Sequence, residues 1–212
     1  MQIIDLTHFI TGNMPVYPGT EQPKLINEFT IEKNGYAEKL ITMFSHTGTH
    51  IDAPAHMIKN ANGLDNFPVE QFYGKGIVID ISKFDKEIIE EKDITFDFNN
   101  LCNYDFVLFY SGWSKLWGKE DYFYNFPVLS EYLVKKIVNS NLKGLGFDSI
   151  SIDPVCSVDY VNHYHVLRKN KIIIENLTNL DKLIGKDFVF CCFPLKIKEC
   201  DGSPIRAVGF IE

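Results

Sequence analysis

Residues 46 to 56 read His46-Thr47-Gly48-Thr49-His50-Ile51-Asp52-Ala53-Pro54-Ala55-His56, which gathers three of the chain's six histidines around one aspartate. Neutral imidazole and carboxylate together make a ligand set suited to Zn²⁺ or Mn²⁺. The spacing is His-x3-His-x-Asp-x3-His. On a helix the four-residue gap would put His46 and His50 on one face, but Gly48, two threonines, Ile51 and Pro54 oppose a helix. The Glu that follows the first His of the helical zinc-protease motif is also absent. The segment therefore reads as a strand end entering a tight loop. In extended chain, residues two apart share a face, so His50 and Asp52 can point at one ion, and Gly48 lets the backbone bring His46 back toward it. A lone histidine is more often a surface or satisfied core residue; three with an aspartate in one constrained loop reverse that balance.

A catalytic ion needs about three protein ligands and an open position. The loop offers four donors, which leaves His56 available for proton transfer. Further candidates lie in the second half. His163 and His165 are two residues apart, so on a helix they diverge by ~200° and only one should face the ion; spacing alone leaves open which. Glu175 leaves the carboxyl end of an apolar run, a place where a carboxylate is often merely solvated but could serve as a ligand. Asp148-Ser149-Ile150-Ser151-Ile152-Asp153 follows another apolar run, where α/β folds put ligand contacts and where Asx turns and N-caps use the same residues. Trp113, within Tyr110-Ser111-Gly112-Trp113-Ser114, is assigned to a pocket wall for a flat substrate, with ordinary core as the equal alternative.

These side chains must be positioned by a strand-rich scaffold. Apolar or alternating runs predict strands at Ile3 to Thr7, Lys24 to Thr30, Ala37 to Phe44, Gly76 to Ile81, Phe106 to Tyr110, Gly144 to Phe147, Lys171 to Ile174, Phe188 to Phe193 and Ile205 to Ile211. The best helix is Glu131 to Asn139, with Ser130 as N-cap and Leu133, Val134, Ile137 and Val138 as its apolar stripe. A second helix is predicted over Asn162 to Lys169 and a weaker one over Lys86 to Glu91. Strands outnumber helices, yet a helix precedes the strand at Gly144, so a strand-rich α/β class follows.

The 212 residues form one predicted domain, 1–212, long enough to bury a substantial core. A net charge of −7 without a Lys/Arg cluster argues against nucleic acid as a partner. No apolar run approaches the roughly 18 residues needed to cross a bilayer. The opening Met1-Gln2-Ile3-Ile4-Asp5-Leu6-Thr7 has no basic and apolar leader pattern, and five scattered cysteines are simplest as reduced thiols, so a cytoplasmic protein is expected. Aromatic residues make up 14% of the chain, enough to suggest that some line a subunit interface or a substrate pocket, with Tyr110 to Trp117 and Tyr122 to Phe126 the favoured places.

The 46–56 segment resembles the signature of the cyclase family of metal-dependent hydrolases, which includes kynurenine formamidase (arylformamidase) and isatin hydrolase. Asp5-Leu6-Thr7-His8 with Met14-Pro15-Val16-Tyr17-Pro18-Gly19 resembles the family's opening. Ser111-Gly112-Trp113 resembles its Thr-Gly-Trp segment, and Gly146-Phe147-Asp148-Ser149-Ile150-Ser151-Ile152-Asp153 its Gly-Ile-Asp-x-x-Ser-Ile-Asp stretch. Glu175-Asn176-Leu177, twelve residues after His163, matches its Glu-Asn-Leu. The anchors keep their order from residue 5 to about 180. Phe147 replaces a smaller aliphatic residue, and Tyr110 stands where several relatives carry Arg, so the known substrates do not transfer directly.

The resemblance implies a β/β/α swivelling-domain-like fold, usually a homodimer or homotetramer. It implies that His46, His50 and Asp52 are metal ligands, that His163 and Glu175 serve where a second ion binds, and that His56 is the catalytic acid/base. It selects His163 over His165. The expected protein is a hydrolase of a C–N bond in a small amide, aryl formamide or cyclic amide, using one or two Zn²⁺ or Mn²⁺ ions per subunit to activate water. The rivals are a non-haem metal oxygenase, from two His and one carboxylate, and a non-catalytic metal-binding protein.

Overall fold

β-Branched and aromatic residues fill the short apolar runs, and every predicted strand forms. The computed structural model describes residues 1–211. In its first half lie strands β1 (Gln2–Asp5), β2 (Lys24–Phe29), β3 (Glu38–Thr42), β4 (His50–Asp52), β5 (Tyr73–Asp80), β6 (Ile88–Ile89) and β7 (Phe106–Tyr110). The second half adds β8 (Val128–Leu129), β9 (Gly144–Phe147), β10 (Ile172–Glu175), β11 (Phe188–Cys191), β12 (Gly202–Pro204) and β13 (Val208–Ile211). The helices are α1 (Ile31–Asn34), α2 (Glu131–Val138) and α3 (Val161–Leu167), with short 3₁₀ turns between elements.

Nine strands make one sheet in the order β1-β13-β11-β5-β7-β9-β10-β4-β12. Its centre, β5 through β10, is parallel, and the flanking pairs are antiparallel. Both faces are covered, and β7 shows how. Phe106, Leu108 and Tyr110 point into one core while Val107 and Phe109 point into the other, the alternation that a pleated strand imposes. The second core is completed by Leu133, Val134, Ile137 and Val138 of α2 and by Val166 and Leu167 of α3. Ser130 Oγ accepts from Leu133 N at 3.3 Å, so α2 starts where its cap predicts. The strand-rich α/β class holds, with α2 and α3 on one face of a large mixed sheet.

The weak helix predicted over Lys86 to Glu91 does not form. Ile88 and Ile89 pair instead in parallel with Val128 and Leu129, and a 3₁₀ turn follows at Glu91–Asp93; two adjacent β-branched residues favour that extended pairing. Strands β4 and β12, three residues each, were not separated out by pattern, although the extended reading of His50 to Asp52 is correct. No described helix is long and apolar enough to cross a membrane.

Candidate metal centre

The ladder on β4 brings together residues that are far apart in sequence. In the antiparallel pairing of β10 with β4, Glu175 lies opposite His50 and Ile173 opposite Asp52. Strand period places His50 and Asp52 on the same face, so one cross-strand pair delivers three donors. Ligand atoms of His50, Asp52 and Glu175 fall within 4.8 Å of one another, and so do those of His46, Asp52 and His56. Asp52 belongs to both groups. Gly48, at φ 66°, makes the bend that returns His46 to the site, and Pro54–His56 closes the loop as a 3₁₀ turn. His163 arrives on α3, with Nε2 3.4 Å from Glu175 Oε1 and 3.9 Å from Asp52 Oδ2. All five expected ligands and His56 therefore converge.

Hydrogen bonds set the histidine tautomers. His50 Nδ1 donates to the Gly48 carbonyl at 2.7 Å, which turns Nε2 toward Asp52 at 3.2 Å. His163 Nδ1 bonds Asp153 Oδ2 at 2.7 Å, again turning Nε2 inward. Such outer partners fix ring orientation and raise ligand basicity. Asn176 Nδ2 donates to the same Gly48 carbonyl at 2.9 Å and is itself held by the Tyr122 hydroxyl at 2.7 Å. Ile152 N donates to Glu175 Oε1 at 3.0 Å. Asp148, whose carboxyl burial pushes toward higher pKa, accepts from Ser111 N and Oγ and from Gly112 N, and so pins the Ser-Gly-Trp turn.

The charges are arranged to hold a cation. Asp52 is 1% exposed, and its Oδ2 has no hydrogen-bond partner. Burial would raise its pKa, but His46 and His50 outweigh that and keep it ionised, well below the usual carboxylate range. A buried anionic oxygen without a partner is expensive, and Glu175 adds a second buried carboxylate beside it. A divalent ion would satisfy both, so the donor set fits the metal. Burial pulls His46 down, yet Asp52 and Asp201 lift it to about 10; His163 is likewise lifted to about 10 by Asp153 and Glu175 against burial. Protons here answer the same negative field that a metal would. His56 goes the other way, lowered chiefly by burial, and stays a neutral base.

Asp201 was not foreseen. Its Oδ2 lies 3.1 Å from His46 Nε2 and 3.8 Å from His56 Nδ1, and Oδ1 accepts from Ser45 Oγ at 3.0 Å. It sits just before β12, and no local pattern links it to residue 46; only the β12–β4 pairing does. Asp153 was visible as part of an acidic strand end but not as the partner of His163. His165 points away and bonds Glu131 at 2.8 Å, as expected of the second histidine of the pair. Trp113 corrects its pocket assignment. It packs with Tyr122, Phe126 and Ile150, donates Nε1–H to the Tyr122 carbonyl at 3.1 Å, and does not line the cavity. From the Tyr122–Phe126 run, Tyr122 and Phe126 are buried and the remainder flanks a separate groove.

The metal-ligand face opens into a cavity of about 440 Å³, with His46, His50, His56, His163 and Glu175 at one side. Tyr17, Phe44, Met57, Ile150 and Tyr160 form the apolar remainder. The family described as "Putative cyclase" matches residues 4–154. The chain belongs to that family. Among relatives of this cyclase-family chain, an uncharacterized protein of Methanocaldococcus jannaschii is 35% identical over 100% of both chains. The kynurenine formamidase of Geobacillus thermodenitrificans is 30% identical over 96% of this chain and 95% of its own. Among solved structures, isatin hydrolase A from Labrenzia aggregata, bound to benzyl benzoate, aligns with TM-score 0.83 at 26% identity, covering 99% of this chain and 93% of the other. The cyclase-family fold is thus shared along the whole length, and the sequence resemblance is borne out.

Proposed function

We propose that the chain is a metal-dependent amidohydrolase that cleaves a non-peptide C–N bond in a small aryl formamide or cyclic amide. The observation that carries this is the partnerless buried Oδ2 of Asp52, set among His50, His163 and Glu175, which line a cavity. Support also comes from the relatives, a kynurenine formamidase and an isatin hydrolase. His46, His50, Asp52, His163 and Glu175 would hold the metal, and with Asp52 in both donor groups the set suits two ions as well as one. When bound, Zn²⁺ or Mn²⁺ would lower the pKa of water from ~15.7 toward ~7 and polarise the scissile carbonyl.

The protein's own residues do the rest. His56, kept neutral by burial, takes the proton of the attacking water and returns it to the departing nitrogen. Asp201, 3.8 Å from His56 Nδ1, lies where it can stabilise the imidazolium between those steps. The apolar wall of Phe44, Met57 and Ile150 suits a flat ring. An oxygenase of the two-His-one-carboxylate type is less well served, because Glu175 supplies a second buried carboxylate. The proposal includes a homodimer or homotetramer: the β2–β3 hairpin leaves Ile26, Leu40 and Ile41 about half exposed, and an isolated hairpin is marginal by itself. Light scattering checks that part. A reducing compartment, the cytoplasm, suits five free cysteines.

The test is a panel of N-formylkynurenine, isatin and simple aliphatic amides, assayed with Zn²⁺-loaded, Mn²⁺-loaded and chelator-stripped protein. Hydrolysis of an aryl formamide or lactam that chelation abolishes and metal restores is expected. Turnover indifferent to chelation, or dependent on O₂, would overturn the reading.

A further inference from the structure

Tyr160 stands in a conformation its side chain does not favour. Its φ and ψ are 46° and 47°, the left-handed region, directly before the first residue of α3. Among the described residues, seven non-glycine positions have positive φ, and five of them are Asn, the residue that tolerates this region best. A bulky aromatic there is a true outlier, and such strain concentrates at functional sites. The backbone task at position 160 could be done by Asn or Gly, so what the tyrosine adds is its side chain.

That side chain reaches the site. Tyr160 lines the cavity, and its ring meets the His163 imidazole edge-on, with centroids 6.1 Å apart and planes at 87°. Its backbone is held from both sides: Tyr160 N donates to Ser157 Oγ at 3.2 Å, and its carbonyl accepts from Tyr164 N at 3.1 Å. The neighbouring phenol, Tyr17, commits its proton to the Val155 carbonyl at 3.2 Å. The two phenols also hydrogen-bond each other. With the Tyr17 proton on the Val155 carbonyl, the Tyr160 O–H rests on the Tyr17 oxygen and is the one that can turn to a ligand in the cavity.

We infer that Tyr160 is a substrate-contacting residue whose phenol O–H donates a hydrogen bond to the amide carbonyl oxygen as water adds and negative charge builds there. The inference rests on the hydrolase reading above. It assigns the oxyanion donor to a side chain that neither the histidine-rich loop nor the carboxylates supply, held by a backbone that cannot relax without moving the helix that carries His163.

Tyr160→Phe keeps the ring, the edge contact and the backbone, and removes only the hydroxyl. With N-formylkynurenine or isatin, whichever the wild type turns over, kcat should fall about 10²-fold or more, the usual loss for one oxyanion donor. KM should stay within twofold, and metal content and Tm should match wild type. Tyr160→Asn, which accepts the left-handed backbone, should show the same kcat loss if the Phe variant folds poorly. A kcat within twofold of wild type in either variant, or a defect confined to KM, overturns the assignment while leaving the hydrolase reading intact. A wild-type protein that hydrolyses no formamide or lactam overturns both.

Discussion

Gly202 touches no candidate ligand by hydrogen bond, yet the His46 imidazole lies flat against the space its missing side chain leaves. A Cβ built there would stand 2.5 Å from His46 Cε1, 2.6 Å from Nε2 and 3.0 Å from Nδ1. Ordinary carbon contacts begin near 3.5 Å, so Gly202→Ala would push the ring back by roughly 1 Å. Gly202 is not among the positive-φ glycines, so alanine is acceptable to the backbone and the effect is steric. The opposite residue across the β12–β4 ladder is Asp52, and that pairing holds the Gly202 backbone in place. Metal–nitrogen bonds tolerate about ±0.2 Å, and a 1 Å shift therefore removes His46 from the shell. Disturbing ligand orientation costs about 10–100-fold in affinity. At saturating ion a 100-fold loss is about 2.7 kcal/mol of stabilisation, and about 5–10 °C of the metal-induced rise in Tm for a chain of this size. The His46 side chain is 21% exposed and can swing outward, so the metal-stripped protein should melt close to wild type. Elemental analysis and thermal melts with and without Zn²⁺ are the assay, with Gly12→Ala, whose Cβ meets its nearest atom at 3.5 Å, as control. A Gly202→Ala protein with wild-type metal content and an undiminished metal-induced rise in Tm would refute the reasoning.

Asp153→Asn should weaken metal binding about 10–100-fold through the freed His163 ring, whereas His165→Ala should leave metal content unchanged; equilibrium dialysis ranks the two. Because His46 and His163 sit near 10 in the metal-free protein, metal should displace up to two protons at pH 7–8, and apparent affinity should rise with pH; calorimetry in buffers of different ionisation enthalpy counts them, and pH-independent affinity would contradict it. His8, stacked at 4.0 Å on Trp117, is lowered to about 4 by burial, so its contribution is complete above about 6.5 and is lost as pH falls toward 4. The loss is at most ~3 kcal/mol before screening reduces it, and urea unfolding of wild type and His8→Phe at pH 7 and pH 5 should show a smaller pH dependence in the variant.

What the chain announces locally and what it hides follow from the range of the interactions involved. His50, Ile51 and Asp52 are readable because alternation along a strand is a property of three consecutive residues, and Gly48 and Pro54 mark the bends on either side. Ser130 and its stripe predict α2 for the same reason: cap and periodicity are local. Glu175 is only half legible. Its apolar run predicts a strand, but nothing in residues 171–175 says that β10 pairs antiparallel with β4 and so sets Glu175 opposite His50. Asp201 and Gly202 are illegible, since their places beside His46 and Asp52 exist only once β12 has paired with β4 across 150 residues. Trp113 was misplaced by the same limit: an aromatic after a strand can face a pocket or a core, and the Tyr122 carbonyl that captures its indole N–H belongs to another turn. The ligands of the 46–52 loop are thus written in the local chain, while Glu175 and the groups that aim, crowd and hold the ligands are written in the strand order. Substitutions at Gly202, Asp153 and Tyr160 consequently probe the fold's contribution to the chemistry more directly than removal of any histidine.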